Sequence, residues 1–248
     1  MLETYNKPII GIVGRPDITG NDEEVIGVYE HYRKAVIKKG GIPILLLPNQ
    51  NLIYETTKPR EMPKLTIDEK EDLIKVINMC DGLIMQGGSK WYEYDEFICN
   101  YAIDMDIPLL ATCLGMQIMG KVDNDRNNID DYATFENDTT IDHFQKGIKY
   151  VHQIKIEENT LLSLIIDELH IDVNSKHNRH IKKCNSFKVA AVASDGIIEA
   201  IEYPWKKFIL GVQWHPEKMI DYDEKADKIF SKFIKEASRQ LNLENIRN

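Results

Sequence analysis

Short apolar runs alternate with helical patterns along the first half of the chain, and this alternation limits the fold more than any other feature. The runs at residues 8–14, 42–47, 82–86 and 107–112 are typical of buried strands. Parallel strands need long crossover connections, which are usually helices, so this order indicates a parallel sheet. The last run is apolar almost without interruption, as expected of a strand at the sheet centre.

The connecting segments carry helical signals. Thr66 and Glu69 form a capping-box pattern that opens a helix running to about Met79. An earlier helix is predicted to stop at Gly40 and Gly41, where a left-handed cap forms easily. Its apolar stripe, at helical spacing, consists of Val25, Val28, Tyr32, Ala35 and Val36.

The second half of the chain predicts strands with a different connectivity. Four segments have the apolar patterns of strands, at 150–156, 187–193, 197–201 and 208–214. Asp195 and Gly196, between the middle two, are typical of a hairpin turn, so antiparallel strands are expected here. A final amphipathic helix carries apolar residues at Ala226, Ile229, Phe230, Phe233, Ile234, Ala237 and Leu241.

The predicted fold class is therefore α/β, a mostly parallel central sheet flanked by helices, with additional antiparallel strands in the C-terminal half. With 43% apolar content, residues 1–248 are expected to form a single domain. Residues 122–147 are rich in Asn and Asp and are interpreted as a surface excursion. Residues 242–248 are interpreted as a frayed polar tail.

The acidic charge balance disfavours two classes of partner. A net charge of −9 and a pI near 5.3 argue against nucleic acid and anionic membranes, because a polyanion is repelled on approach. A small or cationic substrate fits this charge better. No apolar run is long enough to cross a bilayer, and the first six residues do not form a signal peptide. We therefore expect a cytoplasmic location.

Neither a metal site nor a cofactor is predicted. The four cysteines include no pair at C-x-x-C spacing, and no histidine pattern completes a zinc site. Residues 11–14, Gly-Ile-Val-Gly, lack the spacing of a dinucleotide-binding glycine motif. We expect Cys80, Cys99 and Cys184 to be buried thiols and Cys113 to be the exception.

Cys113 stands at the end of the central apolar run and precedes Leu114-Gly115-Met116-Gln117, a sequence that can turn sharply into a helix. This order is typical of a nucleophile elbow. A cysteine at a helix N-terminus gains thiolate character, because the free N–H groups and the helix dipole favour negative charge. Since parallel sheets bind ligands beyond the carboxyl ends of their strands, Cys113 is a candidate nucleophile.

The run at 208–214 leads into His215, Pro216 and Glu217. The proline keeps the backbone extended, so that Glu217 lies on the same side as His215 and can reach its imidazole. A carboxylate there fixes the tautomer and stabilises the imidazolium, which leaves the other ring nitrogen for Cys113. The sequence therefore predicts Cys113, His215 and Glu217 as a catalytic set.

A possible anion site follows the run at 82–86. Gly87 and Gly88 stand at its end, and their N–H groups have no side chain in the way. Such donors suit an oxyanion hole, and the residue after an acyl-transfer nucleophile commonly supplies a second donor, here Leu114.

The two motifs together resemble those of the class I glutamine amidotransferase superfamily, Cys-x-Gly-x-Gln for the nucleophile and His-Pro-Glu for the base. Here they read Cys113 to Gln117 and His215 to Glu217. The resemblance implies a flavodoxin-like fold. It extends over about residues 8–233 and favours the γ-glutamyl-γ-aminobutyrate hydrolase branch, peptidase family C26. Tracts similar to that branch are 8–12, 173–177, 195–202 and 210–217.

The resemblance also implies roles for individual residues. Gly88 and Leu114 would supply the oxyanion donors. Substrate-binding residues would be Gly87, Gln117, Ser175 and His177, the last two on a loop beside the pocket. His152 and His180 are given no catalytic role.

The implied reaction is hydrolysis of a γ-glutamyl amide through a thioester on Cys113, which releases glutamate and an amine. The partner is then a small-molecule γ-glutamyl substrate. A glutaminase subunit that supplies ammonia to a synthetase in a separate chain is the alternative, because Leu114 stands where the hydrolase branch usually has arginine. A non-catalytic binder of a γ-glutamyl metabolite is the third interpretation. The oligomeric state stays open, and a homo-oligomer is compatible with the sequence.

Overall fold

The computed structural model describes residues 7–54, 63–127, 133–135 and 139–247. The strands are β1 (Ile9–Val13), β2 (Arg15–Ile18), β3 (Glu24–Gly27), β4 (Ile42–Leu46), β5 (Gly82–Met85), β6 (Leu109–Thr112), β7 (Ala133–Phe135), β8 (His152–Ile156), β9 (His170–Val173), β10 (Arg179–Ile181), β11 (Lys188–Ala193), β12 (Ile198–Glu202) and β13 (Ile209–Val212). The helices are α1 (Glu30–Lys38), α2 (Ile67–Ile77), α3 (Glu93–Met105), α4 (Leu114–Arg126), α5 (Leu161–Ile166) and α6 (Glu224–Arg247), and a short 3-10 helix covers Pro216–Lys218.

Nine strands form one sheet in the order β4-β1-β5-β6-β13-β12-β11-β8-β9. The strands from β4 to β13 pair in parallel. From β13 to β9 the pairing is antiparallel. The predicted α/β fold is confirmed, including the antiparallel strands of the C-terminal half, whereas the single domain over residues 1–248 stays a prediction.

Alternate residues of the central strands point to opposite faces of the sheet, and helices cover both faces. Ile84 of β5 packs in a core with residues of α1, α5 and α6. Its neighbours Leu83 and Met85 pack in a second core with residues of α2, α3 and α4. The alternation follows from the two-residue period of a strand, and burial on both faces explains the continuous apolar runs. Within the described ranges, no helix is long and apolar enough to span a membrane.

The predicted first helix is partly wrong. Gly40 has the expected left-handed conformation, with φ of 85°, and ends α1. The helix, however, begins only at Glu30, and Val25 belongs to β3, which pairs with β2 in an antiparallel hairpin. A few apolar residues at three-residue spacing do not distinguish a helix from a strand, and here pairing with β2 decides. The capping box of Thr66 at the start of α2 is present as predicted.

The predicted surface excursion, 122–147, begins too early. Helix α4 continues through Arg126, and Asp123 and Asn124 on it are buried. Their burial is stabilised by hydrogen bonds: Asp123 accepts from the backbone N–H groups of Asn185 and Ser186 at 2.6 and 2.8 Å. Polar composition misled the prediction, because these groups have partners inside the fold. Within the excursion, 128–132 and 136–138 lie outside the described residues.

The predicted frayed tail, 242–248, is helical through Arg247, as the last turns of α6. The sequence there contains residues of good helix propensity, such as Leu, Glu and Arg, and neither Gly nor Pro to end the helix.

Candidate active site

Three neighbouring parallel strands end at one edge of the sheet, and a candidate residue follows each. Gly87 and Gly88 follow β5, Cys113 follows β6 directly, and His215 follows β13. Because β6 lies between β5 and β13, the cysteine is central and the other residues flank it. Parallel sheets bind ligands at this edge.

The backbone at Cys113 makes the sharp turn that the sequence predicts. Cys113 has φ of 50° and ψ of −108°, a rare conformation for a residue other than glycine, and α4 begins at the next residue. Gly115 permits the close packing of this turn, because a Cβ there would lie 2.2 Å from the carbonyl oxygen of Met85. The Cys113 N–H donates to the carbonyl of Val212 at 2.8 Å, which ties β6 to β13.

Cys113 and His215 line one cavity of about 390 Å³. A second lobe of about 240 Å³ also contains Cys113 and adds Leu114 and Gln117 to its walls. Cys113 is 6% exposed and His215 is 8% exposed, so both are nearly desolvated but reachable from the cavity. The volume suits a small metabolite.

Two partners fix the orientation of His215. Its Nδ1 lies 2.7 Å from Oε1 of Glu217, a buried carboxylate in the short 3-10 helix. Its backbone N–H donates to Oδ1 of Asn174 at 2.8 Å, and the amide of Asn174 donates back to the His215 carbonyl at 2.9 Å. With Nδ1 bonded to Glu217, Nε2 is the nitrogen left for the cavity side.

The charges of the thiol and the imidazole are coupled. Burial raises the pKa of Cys113, but the charge and hydrogen bond of His215 outweigh it, so that the pKa is lowered. Burial lowers the pKa of His215, but Glu217 and Cys113 raise it to about 9. Both shifts favour the thiolate and the imidazolium at neutral pH. In contrast, burial raises the pKa of the other three thiols, at Cys80, Cys99 and Cys184.

Two of the predicted substrate-binding residues border the cavity and also have protein partners. The N–H of Gly87 donates to the hydroxyl of Tyr32 at 3.0 Å, and that hydroxyl also bonds to Thr112. The Gly87 N–H is therefore not free for a substrate. The side-chain amide of Gln117 lines the second lobe and donates to the carbonyl of Arg179 at 2.9 Å.

The other two predicted substrate-binding residues are directed into the protein. The Ser175 hydroxyl is buried and donates to the carbonyl of His143 at 2.8 Å. His177 borders the second lobe, but it is only 2% exposed and its Nε2 lies 3.4 Å from Oε1 of Glu199. The structure therefore places the Ser175 hydroxyl against the segment that carries His143 and the His177 ring against the buried Glu199.

The family model of peptidase C26 matches residues 90–217, slightly more than half of the chain. A glutamine amidotransferase-like protein of Rickettsia prowazekii (strain Madrid E) is 30% identical over an alignment 282 positions long, which covers 87% of this chain and 92% of that protein. The chain belongs to the peptidase C26 family. Its members are hydrolases of the glutamine amidotransferase type, and amide hydrolysis is the activity that the family supports.

Two further proteins are similar to this C26 chain. The γ-glutamyl-γ-aminobutyrate hydrolase of Shigella flexneri is 28% identical over 238 residues, 88% of each chain. Among solved structures, a GMP synthase subunit of Thermoplasma acidophilum matches with a TM-score of 0.65 and 14% identity, covering 97% of this chain and 99% of that one. At that identity the likeness shows the fold alone.

One expectation for this C26 chain, the absence of a metal site, stays untested. The sequence predicts no metal site, yet the fold brings together His143, His152, His177 and Glu199, whose potential ligand atoms all lie within 4.8 Å of one another. These residues are spread over 57 positions and come from four segments, so no short spacing motif indicates them.

Sequence reasoning also missed the lysines of the cavity. Lys146, Lys176 and Lys218 line it. Burial lowers the pKa of Lys176, and the neighbouring charges of Lys218 and Lys146 lower it further. The net charge of −9 favours a small or cationic substrate, whereas these lysines give the C26 cavity local positive charge. In the sequence, only the position of Lys218, directly after Glu217, indicated that a lysine would line the cavity.

Proposed function

We propose that this chain hydrolyses the amide bond of a small γ-glutamyl amide, with Cys113, His215 and Glu217 as the catalytic residues. The observation that carries the proposal is the coupled pair at the strand ends, where the pKa of Cys113 is lowered and that of His215 is raised to about 9. The pair combines a thiolate nucleophile with an acid for the departing amine.

In the first half of the proposed reaction, the Cys113 thiolate attacks the γ-carbonyl carbon. The N–H groups of Gly88 and Leu114 stabilise the oxyanion, which typically contributes about 3 kcal/mol per donor. The C–N bond then breaks as His215 transfers its Nε2 proton to the amine nitrogen. This leaves a γ-glutamyl thioester and a neutral imidazole.

In the second half, the neutral His215 takes a proton from water as the water oxygen attacks the thioester. The C–S bond breaks, and Cys113 leaves as thiolate beside the imidazolium. Glutamate is released, and the resting charges are restored. Glu217 holds the ring through Nδ1 and stabilises the imidazolium in both halves.

The cavity lysines support a substrate that carries carboxylate groups. Lys146, Lys176 and Lys218 line the space in front of Cys113. A γ-glutamyl group supplies one carboxylate, and an amino-acid amine such as the γ-aminobutyrate of the Shigella relative's substrate supplies a second. Opposite charges in a largely desolvated cavity favour binding, so we propose an anionic leaving amine.

The alternative is a glutaminase subunit that delivers ammonia to a synthetase in another chain. Leu114 favours it, because it replaces the arginine usual in the hydrolase branch, and the fold is shared with the Thermoplasma GMP synthase subunit. This alternative predicts glutamine as the preferred substrate and a rate that rises sharply when the synthetase is added.

The test is a panel of γ-glutamyl amides, with glutamine, γ-glutamyl-γ-aminobutyrate and a γ-glutamyl amide of a cationic amine, assayed for glutamate release. We expect the highest kcat/KM with the anionic amine and no turnover by Cys113→Ala. Cys184→Ala is the matched control, because that thiol lies outside the cavity lining. Wild-type rates in Cys113→Ala would overturn the mechanism, and a clear preference for glutamine would favour the alternative.

A further inference from the structure

A second cluster of ionisable side chains lies beside the cavity, and the proposed reaction does not use it. His152 begins β8, Glu199 lies in β12, and His143 and His177 stand on two segments that are joined by backbone hydrogen bonding. The four side chains are at most 4% exposed. Burying this many ionisable groups requires a compensating interaction.

The distances within the cluster converge on one carboxylate oxygen. Oε1 of Glu199 lies 3.3 Å from Nδ1 of His143, 3.5 Å from Nε2 of His152 and 3.4 Å from Nε2 of His177. In the described part of the chain, neither His143 Nδ1, nor His152 Nε2, nor either oxygen of Glu199 makes a hydrogen bond of acceptable geometry. A tetrahedral ion with bonds of about 2.0 Å separates its ligand atoms by about 3.3 Å.

In each of the three rings, one nitrogen faces Glu199 and the other, outer nitrogen faces away from it. The partner of the outer nitrogen influences whether the inner nitrogen carries a proton or a lone pair. Each outer nitrogen faces an oxygen that can only accept: His143 Nε2 faces Oδ2 of Asp195 at 3.0 Å, His152 Nδ1 faces the carbonyl of Gln153 at 3.4 Å, and His177 Nδ1 faces the carbonyl of Arg179 at 3.2 Å. In the tautomer that donates to these oxygens, the inner nitrogen of a neutral ring carries a lone pair and can bind a metal ion. Such outer acceptors are typical of metal-binding histidines.

We infer that His143, His152, His177 and Glu199 bind one divalent transition-metal ion of the zinc class. Three imidazole nitrogens and a carboxylate oxygen lie close enough together to share one cation, and that cation would also compensate the buried charge of Glu199. Imidazole and carboxylate ligands in tetrahedral geometry suit Zn²⁺, and four protein ligands leave no open position for a reacting water. The site is therefore structural.

The bound ion has a consequence for the cavity wall. His177 directly follows Lys176, whose carbonyl oxygen lies 4.0 Å from Sγ of Cys113. The other loop ligand, His143, accepts hydrogen bonds at its carbonyl from the Ser175 hydroxyl and the His177 N–H. Coordination fixes both segments to β8 and β12, so the ion holds the wall that carries Lys176 in front of the thiol. The inference does not depend on the proposed hydrolysis.

The first experiment is metal analysis of the full-length wild-type protein. We expect about one zinc per chain after purification without chelators. After chelator treatment, titration with Co²⁺ is expected to give the intense visible absorption of a tetrahedral site, saturating at one ion per chain and displaced by Zn²⁺. Neither step needs a variant, so a folding defect cannot obscure the result. Absence of both bound metal and the tetrahedral Co²⁺ spectrum would overturn the inference.

Variants then assign the ligands. Glu199→Gln keeps the size of the side chain but removes the charge, and we expect Co²⁺ affinity to fall by at least about 100-fold. Asp195→Asn leaves all four ligands in place and tests the outer partner of His143, with an expected loss of about 10-fold to 100-fold. His170→Ala is the matched control, because His170 is exposed on β9 outside the cluster. Wild-type Co²⁺ affinity in Glu199→Gln would rule out these ligands.

Discussion

Histidine and carboxylate side chains occur in two neighbouring groups in this molecule, and the groups differ in what their ring nitrogens face. In the first group, His215 has Glu217 on one side and the cavity with Cys113 on the other. In the second group, three imidazoles point their inner nitrogens at Glu199, and no thiol lies among them. The first group thus has a proton that can be transferred to a substrate, whereas the ring nitrogens of the second group are arranged to bind a cation.

Residue types alone do not determine the chemistry of these two groups. Both groups are nearly buried, and both pair imidazole with carboxylate. In the first, Glu217 and the Cys113 thiolate stabilise the imidazolium and raise the pKa of His215 to about 9. In the second, oxygens of Asp195, Gln153 and Arg179 face the outer ring nitrogens and favour the tautomers whose inner nitrogens can bind a metal ion. Changes confined to one group test whether the two are independent.

The largest effect is expected from His215→Gln. Without the imidazole, the thiol loses the charge that lowers its pKa and the leaving amine loses its acid, so glutamate release should fall by about 10³-fold or more. The pH midpoint for alkylation of Cys113 by iodoacetamide should rise toward that of an ordinary thiol. Co²⁺ binding at the cluster should be unchanged. An unaltered alkylation profile would show that the Cys113 thiol and the His215 imidazole are not coupled.

Glu217→Gln should have a smaller and more specific effect. The wild-type rate is expected to fall as pH rises through about 9, because His215 then loses the proton that the amine needs. Removing the Glu217 charge lowers the pKa of His215, so this alkaline limb should move to lower pH, with kcat reduced about 10-fold to 100-fold. Glu71→Gln, at an exposed position of α2, is the control. If the alkaline limb stays in place in Glu217→Gln, a residue other than His215 causes it.

The first group could be predicted from the sequence, because each member lies in a short motif at the end of an apolar run. Pro216 sets the geometry between His215 and Glu217 locally, and strand order places Cys113 beside them. The parallel half of the sheet was predictable for the same reason, since burial on both faces leaves continuous apolar runs.

The second group could not be predicted, because only the tertiary fold brings its members together. His143 and His177 meet through a bridge between the neighbouring residues Phe144 and Lys176, and antiparallel pairing of β8, β11 and β12 brings the other two ligands near. The hairpin of β2 and β3 was missed for a related reason: strand pairing, and not local spacing, decides its structure.

Gly87→Ala tests how closely the first group is packed. A Cβ at this position would lie 3.0 Å from Cε1 of His215 and 3.4 Å from Cβ of Cys113. We expect the imidazole to be displaced by a few tenths of an ångström and kcat/KM to fall about 10-fold, since catalytic geometry tolerates little displacement. Gly20→Ala is the matched control, because its Cβ would have no neighbour within 4 Å. Wild-type kinetics in Gly87→Ala would mean that the ring is not held in this position.

The smallest effect on turnover is expected from Ser175→Ala, which separates the two groups most sharply. The Ser175 hydroxyl donates to the His143 carbonyl and is buried, so its loss should lower the free energy of unfolding by about 1 kcal/mol and weaken Co²⁺ binding slightly. Because the hydroxyl is directed to the backbone and not to the cavity, KM for the γ-glutamyl amide should change less than about 3-fold, a difference under 1 kcal/mol. Urea unfolding and steady-state kinetics on the same preparation measure both quantities. A large rise in KM with unchanged stability would instead place this hydroxyl on the substrate, as the family resemblance implies, and would join the two groups into one site.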